Sequence, residues 1–336
     1  MDPEGDSSPH TNLSRDSNCS ITDMSLDRVS TLGFPSASLL PRTCLPTQPP
    51  SYVLTAWTEG TPSRTSFTVT SIVECITESE KGMRRVLRVN VASEAFQEPR
   101  QLICKVAFGR RWFKLLKEES LLYEGKLKPL RGTVVPHYYG FFAGDTYEGM
   151  TGVMVLEDCG QPACDSIEHQ PLWFRALVLE ALVAVHRAGI AFQDPVMSLE
   201  SNVVIRYDPA SDKHVPKFVS FSKLNVTALH HDCPYDSDDV KIGEDEPEPF
   251  REDVSCRRLW AAFISTNLFT PSHVDVFETS VPFEYVTDAE TLKAHVCFPE
   301  GASQSEIERE IASALFLRAE WLEEREKYGY RPIQMY

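Results

Sequence analysis

A lysine stands in the middle of an apolar run, Leu102-Ile103-Cys104-Lys105-Val106-Ala107. An ammonium in such a strand is costly unless its head reaches water or a carboxylate. The segment that follows has helical spacing, with Trp112, Leu115, Leu116, Leu122 and Tyr123 on one stripe, and that spacing also lands on Glu119. A carboxylate on a buried face wants a cation, so Lys105 and Glu119 can pair across strand and helix. A snorkelling lysine and a glutamate at the edge of the stripe account for the same two residues. Further on, Asp194 precedes Pro195 and Asn202 precedes Val203-Val204-Ile205. Taken singly, these read as a turn aspartate and a strand-edge asparagine. The nine cysteines are scattered, with no CxxC pair and no histidines at zinc spacing, so neither a metal site nor a disulfide framework is expected of them. Dispersed single thiols suit a reducing, intracellular compartment, cytoplasmic or nuclear.

The elements that must hold these residues are readable from periodicity. Three β-rich runs cover 66–77, 84–93 and 101–109, the first two joined at Glu80, Lys81 and Gly82 as a hairpin. A helix follows from Arg110, stopped in the region of Pro129 and Gly132. Two more strands fall at 134–142 and 152–159, the second running into a polar turn at Asp158 to Gly160. From Pro171 to Gly189 a helix is apolar on nearly every face, interrupted by Arg175, Glu180, His186 and Arg187, which predicts the buried axis of a second, helical lobe. Short strands at 202–207 and 216–221 precede an acidic segment at 232–253 and a short helix near Cys256 to Phe263. The terminal helix, 303–327, has Ser305 and Glu308 as a capping box and Ile307, Ile311, Leu315 and Leu322 as its stripe.

In this order the residues resemble the eukaryotic-type protein kinase superfamily, and most of all a divergent group of fungal kinase-like proteins, over about residues 65 to 260. The resemblance implies an α+β, two-lobed kinase-like fold, with a β-rich N-lobe holding one helix and a mainly helical, shortened C-lobe. It implies that Lys105 and Glu119 form the ion pair that holds nucleotide phosphates, and that Glu157 and Cys159 belong to the hinge whose backbone meets the adenine. Asp194 matches the aspartate that accepts the substrate proton, and Asn202 the metal-binding asparagine, with His186 and Gly189 ending the helix before them.

The departures are as informative as the matches. Asn202 lies eight positions after Asp194, where the superfamily has five, so an insertion near Val196 to Ser198 must bulge outward. Where the superfamily places its metal-binding aspartate the chain reads Ser220-Phe221-Ser222, so a neutral hydroxyl stands at the metal position. The turn near Gly82 has a single glycine and carries Glu78 and Glu80, which would repel phosphate. The resemblance therefore implies a catalytically impaired binding or scaffold module, with weak or absent binding of ATP and Mg2+. The alternative is a phosphotransferase with Asp194 as base and a non-standard metal site.

Composition sets the outer limits. The chain has 336 residues, 42% of them hydrophobic, enough for a sizeable core. With 49 acidic against 33 basic residues, its net charge of −16 weighs against a nucleic-acid or membrane-surface partner and leaves a protein partner as the expectation. Residues 1–50 are rich in Ser, Pro and Thr without apolar period, and read as a disordered tail. The expected organisation is then tail 1–50, N-lobe 51–156 and C-lobe 157–336.

Overall fold

The computed structural model describes residues 31–34, 52–57, 66–79, 81–163, 166–208, 212–228, 240–244, 246–254 and 256–333. Most of the segment read as a tail, and positions 232–239 and 245 of the acidic segment, lie outside the described residues.

The first half of the chain supplies β1 (Thr31–Phe34), β2 (Tyr52–Ala56), β3 (Ser66–Glu78), β4 (Arg84–Ser93), β5 (Arg100–Phe108), α1 (Gly109–Glu124), β6 (Tyr138–Thr146) and β7 (Gly149–Glu157). Its seven strands close into a barrel in the order β1-β2-β6-β7-β5-β4-β3. Every neighbouring pair is antiparallel except β1 and β3, which run parallel with Leu32 opposite Phe67. Alternation along the strands explains the filling. In β5, Leu102, Cys104 and Val106 point inward with Leu87, Val89, Phe67 and Phe142, while Ile103, Lys105 and Ala107 take the opposite face. Helix α1 lies on that outer face through Phe113, Leu116 and Tyr123. It comes close because residue 152 is glycine: a Cβ there would stand 2.7 Å from Phe141 and 3.0 Å from Phe113.

The second half adds β8 (Gln161–Pro162), α2 (Leu172–Arg187), β9 (Ile190–Phe192), α3 (Pro195–Ser201), β10 (Val203–Asp208), β11 (Lys213–Phe218), β12 (Val226–Ala228), α4 (Arg257–Ser265), β13 (His273–Val276), β14 (Thr279–Pro282), α5 (Ala289–Ala294) and α6 (Gln304–Gly329). The buried helix expected from Pro171 is α2. Its Arg175, 1% exposed, is accepted in the core because Gln170 O, Thr266 O and Asn267 O take its guanidinium. Strands β8, β10 and β11 form a small sheet below the barrel. Helix α6 begins two residues away from the expected capping box: Ser303 and Glu306 make it, and Ile311, Ala314 and Gly329 are its buried positions.

These observations correct the fold expectation. A two-lobed kinase-like fold with a mainly helical C-lobe is not what the chain adopts, and the resemblance to the kinase superfamily is overturned with it. The strands close into a ring, and the described residues are 34% helix and 35% strand, with six α-helices among them. The closing strands are those periodicity left out. β1 lies inside the segment read as a tail, and β2 directly follows it. No helix among the described residues is long and apolar enough to cross a membrane, a statement that does not extend to β-barrels.

The passage from barrel to small sheet depends on Gly160, whose φ is +92° and whose added Cβ would stand 2.1 Å from Ile205 O. Gly149, with φ +88°, has nothing within 4 Å of the same position. Alanine at either site meets the left-handed penalty of about 1–2 kcal/mol. At Gly160 the backbone overlap should add on the order of 1–3 kcal/mol more. Thermal unfolding of Gly160→Ala and Gly149→Ala side by side is expected to show the larger loss for Gly160→Ala, and equal losses would contradict the close approach.

Candidate functional site

Between the barrel's outer face and the small sheet lies a cavity of about 510 Å³. Its upper wall is built from β4, β5 and α1 (Val86, Ile103, Ala107, Leu115 and Leu116), and its lower wall carries Val204 and Val219. Of the residues singled out from sequence, Lys105, Glu119, Glu157, Cys159, Asn202 and Ser220 all line it. Asp194 does not.

At the inner end, Lys105 Nζ donates to Glu119 Oε1 at 2.7 Å, with the lysine side chain 14% and the glutamate side chain 5% exposed. Strand alternation turns Lys105 outward from the barrel, and its register opposite Val86 and Met154 places it under α1. Glu119 stands one helical turn from both Leu116 and Tyr123, so the packing of α1 carries the carboxylate inward. The same Oε1 also accepts the Phe221 N–H at 3.0 Å, joining the barrel, α1 and the turn after β11. In that turn Ser220 has φ +68°, a left-handed conformation held by Asn225, whose Nδ2 donates to Ser220 Oγ at 2.9 Å and O at 3.3 Å. Phe221 then packs edge-on against Tyr123.

Glu157 has a different task from the others. Its Oε1 takes Arg206 at 2.9 Å, and its Oε2 takes Lys217 at 2.8 Å and the His137 N–H at 3.0 Å. The end of β7 is thereby clamped to β10 and β11. Arg88, buried on the cavity face of β4, does the same for the next residues: its Nε donates to Asp158 Oδ2 at 2.8 Å, its Nη2 to Gly160 O at 3.1 Å, and its Nη1 pairs with Glu74. Cys159 is buried and donates weakly to Glu157 O, and burial pushes its thiol far up, so it stays protonated.

Asp194 is exposed and caps α3, its Oδ1 accepting the Met197 N–H at 3.0 Å. The three positions expected to bulge are wound into that short helix, and Asn202 closes it with 7% exposure, its carbonyl accepting the Val219 N–H. The donor set does not fit Mg2+. Asn202 and Ser220 are neutral, and each of the four carboxylates lining the cavity already sits in an ion pair: Glu78 with Arg85, Glu119 with Lys105, Glu157 with Lys217, Asp158 with Arg88.

Arg88 and Lys217 were not singled out from sequence, although each carries a readable signal. Arg88 stands between Leu87 and Val89, and Lys217 between Pro216 and Phe218, charges in apolar strands just as Lys105 is. Comparison with known proteins gives no match: no family description fits the chain, and no curated protein is similar to it.

Two predictions follow from this geometry. Removing one member of a buried pair strands the other, at about 3–5 kcal/mol. Glu119→Leu and Lys105→Met should each lower stability in urea unfolding, and the double variant should lose clearly less than their sum; strict additivity would deny the pairing. The second concerns Glu157. Burial alone would raise its carboxyl, but the hydrogen bond from Lys217, the His137 N–H and the charge of Lys217 outweigh this and hold it below its ordinary value of 4.5. A depressed folded value means the unfolded chain takes up the proton first. The stabilisation is therefore complete above about pH 4.5 and lost as pH falls through the folded value. Glu157→Gln should flatten the acid side of the stability profile below about pH 4.5, and an unchanged slope would remove Glu157 from the account.

Proposed function

We propose that this chain is a binding module whose cavity takes an organic ligand of nucleotide size, and that it is not an efficient catalyst. The observation that carries this is the commitment of every lining carboxylate to a cation, in a cavity that is otherwise largely apolar. A general base must be free to take a proton, and a hard metal needs unshared carboxylate oxygens. Lys105 gives one of its three ammonium donors to Glu119 and keeps others for an anionic group at the inner end. Ile103, Ala107 and Leu156 above and Val204 and Val219 below suit a flat apolar body. Asp194, facing solvent as a helix cap, offers no support for a phosphotransferase. The net charge of −16 weighs against nucleic acid as a partner and leaves another protein as the macromolecular partner.

The test is thermal shift with ATP and with ADP, each with and without Mg2+. Ligand at about ten times its Kd adds about 1.4 kcal/mol, which raises the melting temperature of a domain this size by about 3–5 °C. The expected result is a shift in EDTA that Lys105→Met loses relative to its own baseline. No shift with either nucleotide would overturn nucleotide-sized binding at this cavity. Phosphate transfer that requires Mg2+ and vanishes in Asp194→Asn would overturn the non-catalytic reading.

A further inference from the structure

The first turns of α1 carry charges that a helix of its own accord would not choose. An N-terminus favours acidic residues and a side-chain cap, because its free N–H groups make it positive. Helix α1 has no side-chain cap and no acidic residue in its first turn, and begins instead with Arg110 and Arg111, followed by Lys114 and Lys117. Arg84, exposed at the start of β4, stands beside them. Its guanidinium lies 4.2 Å from the centre of the Trp112 ring, with that of Arg111 at 4.9 Å from the same ring. Lys117 Nζ stands 4.3 Å from the Trp57 ring, which is itself 47% exposed.

None of these five cations pairs with a carboxylate among the described residues. Of the acidic side chains on the neighbouring stretches of β3 and α1, Glu78 pairs with Arg85 and Glu118 with Lys223. Stacking on tryptophan orients a guanidinium and leaves its N–H edges free for carboxylate oxygens. In a chain of net charge −16 such a concentration of free positive charge is out of keeping with the whole, and departures of this kind mark function more often than stability.

We propose that this face, running from Arg84 and Arg111 at Trp112, across Arg110 and Lys114, to Lys117 at Trp57, docks a short acidic segment of a partner protein. Its size argues for a peptide over a nucleic acid. From Arg110 to Lys117 the helix rises about 10 Å, the reach of about three or four extended residues. A duplex carries one charge per ~1.7 Å along its whole length, and only a few of those charges would meet a patch this short. A short run of glutamates and aspartates matches the reach of the cations, with Trp57 and Trp112 available to its apolar flanks.

The experiment is titration of the full chain with a hexaglutamate peptide carrying one terminal leucine, followed by calorimetry at low and physiological salt. Binding is expected to weaken with salt, and to fall at least about tenfold in Arg111→Glu/Lys114→Glu. Lys293→Glu, the same kind of charge reversal on exposed α5, should change it less than about twofold, and circular dichroism of all three proteins confirms that they are folded. Absence of binding, equal weakening by Lys293→Glu, or an oligonucleotide of the same charge binding as tightly would each overturn the proposal.

Discussion

One carboxylate oxygen holds three parts of this molecule together. Glu119 Oε1 accepts from Lys105 on the barrel and from the Phe221 backbone in the turn after β11, while its own side chain belongs to α1. Buried as it is, the oxygen cannot turn to water if either donor leaves. The position of α1 on the barrel and the left-handed turn at Ser220 are therefore set by one another. Much of the cavity's inner end is defined by this shared acceptor. Its shape depends on an acceptor that is fully satisfied only with both partners present.

The local elements were legible because they are written in local periods. The alternation of β4 and β5, the apolar run of α2 and the glutamate on the stripe of α1 all follow from spacing over a dozen residues. The pairing of Lys105 with Glu119 was readable for the same reason, since an apolar strand and an apolar helix face each contained one charge of opposite sign. What could not be read was the closure. β1 is four residues long in a polar context, and its partners lie at 52–55 and 66–68. No window around Thr31 contains that information. The family resemblance failed on this same point. The order of short motifs constrains what each segment does, but the architecture is decided by which distant strands meet.

Asp194 is a different case. Alone it reads as a turn residue before a proline, and in the structure it caps α3; its chemical role came from the family context alone. The register of the capping box slipped by two residues because Ser303, Ser305, Glu306 and Glu308 offer two equally good matches, and only Ile311 facing the small core of β13, β14 and α5 decides between them. Arg88 and Lys217 were passed over although they obey the rule that exposed Lys105. A charge in an apolar strand implies a partner, and β4, β5 and β11 each carry one.

The barrel's ladders are unequal in length. Strands β3 and β4 pair along most of their length, whereas β2 meets β6 through only two residue pairs, Thr55 with Ala143 and Ala56 with Phe142. A ring of hydrogen bonds is as strong as its shortest ladder, so opening of the barrel is localised at this joint. The joint also joins the two ring neighbours that lie farthest apart in the chain, since β2 must wait some ninety residues for β6 to follow it. Until then β2 presents a free edge, and its solvent-facing side, where Val53 is 70% exposed, is the stretch on which a nascent chain is most open to pairing with the wrong neighbour.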